Sequence, residues 1–165
     1  MVAPASKKTA LSVLAVLVVS GLFLAVSGFR ALPEAGEEGR RIAALLNGLN
    51  SRGPENGPVS KSEFTITGEG FFRYRRIYTN GKSEYYSFGI GRLADVYYLG
   101  TTVSGRLVFK TRSDDIIVQT YQDPGGNVDS MATDLSIPLR GAEAEDLQLI
   151  STNLESIRRQ LQVRR

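Results

Sequence analysis

Apolar residues are distributed along the chain in three distinct ways. Residues 9–29 form a run of 21 without a single charge, rich in Leu, Val and Ala. Between about residues 64 and 139 apolar and polar residues alternate in short stretches, and from about Ala142 to Val163 apolar residues return every three or four positions. These patterns predict a membrane-length helix, a set of half-buried strands and an amphipathic helix, in that order.

A 21-residue helix rises about 31 Å, which matches the roughly 30 Å hydrocarbon core of a bilayer. Residues 9–29 are therefore read as a single transmembrane helix that anchors the chain in lipid, preceded by a short basic tail, 1–8, carrying Lys7 and Lys8. A cleaved signal peptide is the competing reading, with small residues at Ala25 and Ser27 suited to cleavage before Gly28. The apolar run exceeds the usual signal length of about 7 to 15 residues, which favours retention. The basic tail places the N-terminus in the cytoplasm and the larger domain on the other side of the cell membrane. Cleavage would instead give a secreted or periplasmic protein.

Residues 30–60 read as a juxtamembrane helix and a linker. Pro33 breaks helical continuity, and Ile42, Leu45, Leu46 and Leu49 then recur at helical spacing, predicting a short amphipathic helix over Glu37–Asn50. Its stripe suits packing on the following domain, or else a membrane surface or a second copy. Ser51 to Ser60 holds Gly53, Pro54, Gly57 and Pro58 without periodicity, a linker composition.

Residues 61–165 are expected to form one antiparallel β domain closed by a C-terminal helix. Strands are predicted around Phe64 and Ile66, then at Phe71–Tyr78, Ser83–Ile90, Leu93–Leu99, Arg106–Thr111, Ile116–Tyr121 and Met131–Leu139. Short connections suggest that successive strands are neighbours. Asn80-Gly81 between two aromatic runs predicts a two-residue hairpin turn, with paired residue numbers summing to 161. Leu147, Ile150, Leu154, Ile157 and Leu161 make one stripe on the last helix, with acidic residues at its start and arginines at its end as the helix dipole favours. The fold class is α+β: a small sheet or partly closed barrel of about six or seven strands packed by a helix. Pleckstrin-homology-like modules are similar in plan, but no residue motif carries that likeness.

Composition narrows the chemistry. The chain has no Cys and no His, which removes disulfides, thiolate and imidazole metal sites, thiol nucleophiles and the Ser-His-Asp triad. Residues 30–165 carry 18 basic and 17 acidic side chains, a net of +1, which gives no argument for nucleic acid as partner. Asp95, Asp114 and Asp115 are the carboxylates a hydrolase would need in pairs, but Asp114 and Asp115 fit a turn equally well. Asp123, Asn127 and Asp129 lack the Glu that closes an EF-hand loop, since Asp134 stands there. Gly68 with Gly70 and Gly89 with Gly91 resemble fragments of a phosphate loop, yet the strand-to-helix context is missing, so strand bends are the simpler reading. No metal or cofactor is implied.

The segment Phe71 to Tyr78 stands out by interleaving Arg73, Arg75 and Arg76 with aromatic residues. Pairing at a sum of 161 sets Arg73 opposite Phe88, Arg75 opposite Tyr86, Ile77 opposite Glu84 and Arg76 opposite Tyr85. The candidate ligand site is therefore Arg73, Arg75, Arg76, Tyr74, Tyr86 and Phe88, suited to an anionic group with rings stacking beside guanidinium groups. Arg stems covering aromatic surface in an ordinary half-exposed sheet give the same pattern without a ligand. The expected function is a non-catalytic, membrane-tethered binding or assembly module whose partner is a protein, an anionic lipid or an envelope polymer. A carboxylate-dependent hydrolase and a secreted ligand carrier are the alternatives.

Overall fold

The computed structural model describes residues 36–50 and 59–163. The expected basic tail at 1–8, membrane helix at 9–29, the break at Pro33 and residues 51–58 of the linker lie outside the described residues, whereas Val59 and Ser60, read as the end of that linker, open the first strand, Val59–Ile66. Among the described residues no helix is long and apolar enough to cross a membrane.

Helix α1, Glu37–Leu49, has Glu37 and Glu38 in its first turn, where the helix dipole favours negative charge. Ile42 and Leu46 are fully buried, and Leu45 and Leu49 pack against the same core. The helix ends at Asn50, whose extended backbone forms an isolated bridge to Leu139.

Eight strands follow: β1 (Val59–Ile66), β2 (Phe71–Tyr78), β3 (Ser83–Gly89), β4 (Leu93–Gly100), β5 (Ser104–Thr111), β6 (Ile116–Tyr121), β7 (Asp129–Ala132) and β8 (Asp134–Arg140). Helix α2, Ala144–Val163, closes the order. All pairings are antiparallel. They build a five-stranded sheet in the order β1-β2-β3-β6-β7 and a three-stranded sheet in the order β4-β5-β8.

The architecture is thus α+β as expected, but the strands do not run as one meander. Three sheet changes explain the difference, at the β3–β4, β5–β6 and β7–β8 connections. After β3 the 3-10 turn Ile90–Arg92 buries Ile90 completely and delivers β4 to the other sheet. The predicted strand Met131–Leu139 is two strands, because the chain bends at Thr133 and serves one sheet before the bend and the other after it. Strands that switch sheets at such bends are how two sheets share a core. Thr111 fixes the β7–β8 corner by donating its N–H to the Thr133 carbonyl at 2.8 Å, and its hydroxyl lies 2.7 Å from the Ser113 carbonyl and 2.9 Å from that of Thr133. A period-two pattern continues through a corner, so the pattern alone counts one strand too few.

Between the sheets, Phe72 stacks on Phe88 at 4.9 Å, and Phe109 of β5 meets these rings at 4.8 and 5.7 Å. Leu135, Ile137 and Leu139 of β8 and Ile150, Leu154 and Ile157 of α2 complete the same buried cluster. Each fully buried side chain of this size contributes about 1.5 to 3 kcal/mol before entropy is counted. Helix α2 begins two residues later than predicted. Its start is set by the Glu143 N–H donating to Asp146 Oδ2 at 3.1 Å, the reach-back half of a capping box.

The edge of the larger sheet at β1 is covered by α1. Asn47 donates its amide to the Phe64 carbonyl at 3.2 Å and accepts from the Phe64 N–H at 3.1 Å, taking the place of a neighbouring strand. That contact satisfies a backbone edge that would otherwise invite pairing with another chain.

Candidate functional site

Strand β2 places its side chains alternately on the two faces of the larger sheet. Phe72, Tyr74, Arg76 and Tyr78 point inward and are buried, while Phe71, Arg73, Arg75 and Ile77 point outward. The expected hairpin register needs correction. Residue pairs sum to 160, not 161: Arg73 faces Ser87, Arg75 faces Tyr85, Arg76 faces Glu84, Tyr74 faces Tyr86 and Phe72 faces Phe88.

The reason is the turn. Gly81 donates its N–H to the Tyr78 carbonyl, and Tyr78 donates to the Lys82 carbonyl at 2.8 Å, so the loop is Thr79, Asn80 and Gly81. Gly81 has φ +89°, the left-handed position that ends a three-residue hairpin loop with a bulge. A slip of one residue moves every partner. The six candidate residues therefore divide: Arg73 and Arg75 lie outside, while Arg76, Tyr74, Tyr86 and Phe88 lie inside.

The inner group is a closed charge cluster. Arg76 and Glu84 are only 8% and 9% exposed. Glu84 Oε2 accepts from Arg76 Nη2 at 2.6 Å, from the Tyr78 hydroxyl at 2.9 Å and from the Tyr86 hydroxyl at 3.0 Å. Lys82 holds its Oε1 at 3.1 Å and reaches Asp123 in the β6–β7 loop at 2.7 Å. The guanidinium of Arg76 also lies 5.3 to 5.9 Å from the ring centroids of Tyr86, Tyr74 and Tyr78. Every oxygen of Glu84 is occupied. The cluster locks the hairpin to its neighbouring loop and offers no free acceptor to a ligand.

Electrostatics agree with that reading. Burial alone would raise the Glu84 pKa, but the Arg76 charge and the hydrogen bonds from Tyr78, Lys82 and Tyr86 outweigh it and hold the carboxyl below its ordinary value. Burial pushes the Tyr74 hydroxyl up to about 12, and burial together with the Glu84 hydrogen bond raises Tyr78. Hydrogen bonds to Asp123 and Glu84 raise Lys82. Asp123 is lowered by Lys82 and by the Gly125 N–H.

The outer face differs. Arg75 lies 5.0 Å over the Tyr85 ring, and neither Arg73 nor Arg75 makes an ion pair among the described residues; the Nε of Arg75, like that of Arg76, is buried without a hydrogen-bond partner and so distinguishes neither face. Glu63, which faces Arg75 across the β1–β2 pairing, is engaged by Lys61 at 3.5 Å. Glu63, Arg73, Arg75, Tyr85, Ser87 and Gln119 line a shallow groove of about 500 Å³ across β1, β2, β3 and β6. Ile117, Tyr121 and Met131 extend this face as exposed apolar surface on β6 and β7.

The carboxylates singled out in the sequence sit in local structural bonds. Asp95 accepts from the Val96 N–H at 2.8 Å, and Asp114 accepts from the Thr133 hydroxyl at 2.8 Å. Asp115 accepts from the Ser113 hydroxyl at 2.9 Å. Asn127 Oδ1 accepts from the Asp123 N–H at 3.2 Å, a turn contact. No group of three metal-ligating side chains gathers among the described residues.

Glu84 and Lys82 are the residues that sequence reasoning missed. Their signal was parity: with an odd loop length, Lys82 and Glu84 share a face with Arg76 and the buried rings. Comparison with known proteins gives no guide to the ligand, since the chain matches no family model, no curated protein and no solved structure.

Proposed function

We propose that this protein is a non-catalytic binding module, tethered to the cell membrane by residues 9–29, whose outer sheet face holds an acidic polymer of the envelope. The observation that carries the reading is the contrast in charge saturation within one strand. Arg76 is consumed by Glu84, whereas Arg73 and Arg75, two residues apart and so about 7 Å along the strand, carry no carboxylate partner among the described residues. Guanidinium forks beside an aromatic ring suit the repeated carboxylate or phosphate groups of such a polymer. The flanking Ile117 and Met131 surface gives its apolar parts something to cover. The tether rests on the uncharged 21-residue run and its basic flank, which also place the domain outside the cytoplasm.

Two measurements test it. Membrane fractions washed with alkaline carbonate keep the protein if residues 9–29 span lipid, and release it if they do not. Retention of the full chain on an immobilised polyuronate falls with rising salt and is lost in the Arg73→Ser plus Arg75→Ser variant; retention equal to the parent removes the outer face from the account.

A further inference from the structure

The two glycine pairs that read as strand bends come together in space. The Ile90 N–H donates to the Gly70 carbonyl at 2.8 Å and joins the β1–β2 turn to the 3-10 corner. The Arg112 N–H donates to the Arg92 carbonyl at 3.2 Å and adds the β5–β6 turn. The last turns of α2 lie against the same corner, with Leu161 packed so close to Gly70 that a Cβ there would collide with it. A cleft of about 640 Å³ opens between these four segments, within the size range of small-molecule sites.

Three arginines from three segments line the cleft: Arg92, Arg112 and Arg158. Asp115 takes up Arg92 at 3.6 Å. Arg112 and Arg158 have no acidic partner among the described residues, although Glu69 stands at the wall. Phe71, 44% exposed, and Leu161 give the cleft an apolar side. Gly89 and Gly91 leave the backbone open to close approach.

We propose that this corner cleft binds a phosphate group carried on an apolar body, with Arg112 and Arg158 on the oxygens and Phe71 and Leu161 against the apolar part. Guanidinium forks match phosphate oxygens in geometry, and two of them unpaired beside an exposed ring is an arrangement that folding alone does not require. A phospholipid head group and a soluble organic phosphate both carry a phosphate on an apolar body, and the two ligands of the test tell these sources apart.

The test is calorimetric titration of the full chain in nonionic detergent with dioctanoyl phosphatidic acid and, separately, with phenyl phosphate. At least one saturates at one per chain, and Arg112→Ser plus Arg158→Ser weakens it about tenfold or more. Binding of the lipid alone assigns the head group, and equal binding of phenyl phosphate assigns a soluble organic phosphate; both support the cleft. The Arg73→Ser plus Arg75→Ser variant binds as the parent does, which separates failure here from failure of the outer face. Gly91→Trp, with open space beside its Cα, blocks the cleft without removing a charge and weakens binding to the same extent. Saturation with neither ligand, or unchanged affinity in either cleft variant, overturns the proposal.

Discussion

Arg75 and Arg76 are adjacent in sequence and opposite in fate. Arg76 turns inward, meets Glu84 and three tyrosine rings, and is buried. Arg75 turns outward, lies over Tyr85 and has no carboxylate partner among the described residues. The alternation of a strand decides between them, and one residue of turn length decides which partners each receives. What the contrast teaches is that an arginine beside aromatic residues says little until its acceptors are counted. A guanidinium paired with a buried carboxylate is part of the fold, and one without a carboxylate is open to a partner.

The comparison breaks most visibly if the two arginines are removed in turn. Arg76→Leu leaves the buried Glu84 carboxylate short of its main counter-charge, and denaturant unfolding should show a loss of about 3 to 5 kcal/mol. Arg76→Leu combined with Glu84→Leu recovers about 2 kcal/mol or more of that loss, because no uncompensated buried charge remains.

Asn47→Ala removes both bonds to the Phe64 backbone and costs about 1 to 3 kcal/mol by the same measurement. Gly81→Ala forces a side chain into the left-handed region and costs about 1 to 2 kcal/mol, read from the thermal midpoint. Arg75→Ser should sit within about 0.5 kcal/mol of the parent.

The pH dependence sharpens the same contrast. Glu84 has a lowered folded pKa, so its contribution is full above the unfolded value of about 4.3 and is lost as pH falls through the folded value. Lys82, Tyr74 and Tyr78 have raised folded values, so the folded state loses stability as pH rises above about 10. In Glu84→Gln the acid limb of a stability profile flattens, while in Arg75→Ser both limbs keep the parent's shape.

Much of the fold was legible in the sequence. The stripes of Ile42 and Leu46 and of Ile150, Leu154 and Ile157 mark both helices, because a core-facing helix must repeat apolar residues at its own period. Strand positions followed from alternation for the same reason. The sheet assignment did not, since the connections after β3, β5 and β7 carry the chain to the other sheet and alternation does not record which sheet a strand joins. The hairpin register was misread because Asn-Gly fits both a two-residue loop and the last two positions of a three-residue loop. The corner cleft was visible only as two separate glycine pairs, since its arginines come from positions 92, 112 and 158, which only folding brings together.

The measurement that tests the central claim most directly takes the full-chain Arg73→Ser plus Arg75→Ser variant and records two quantities on one preparation: its unfolding free energy and its affinity for a polyuronate. The account predicts stability within about 1 kcal/mol of the parent and affinity reduced about tenfold or more. Unchanged affinity, or a loss of stability comparable with that of Arg76→Leu, would contradict the division of one strand into a structural face and a binding face.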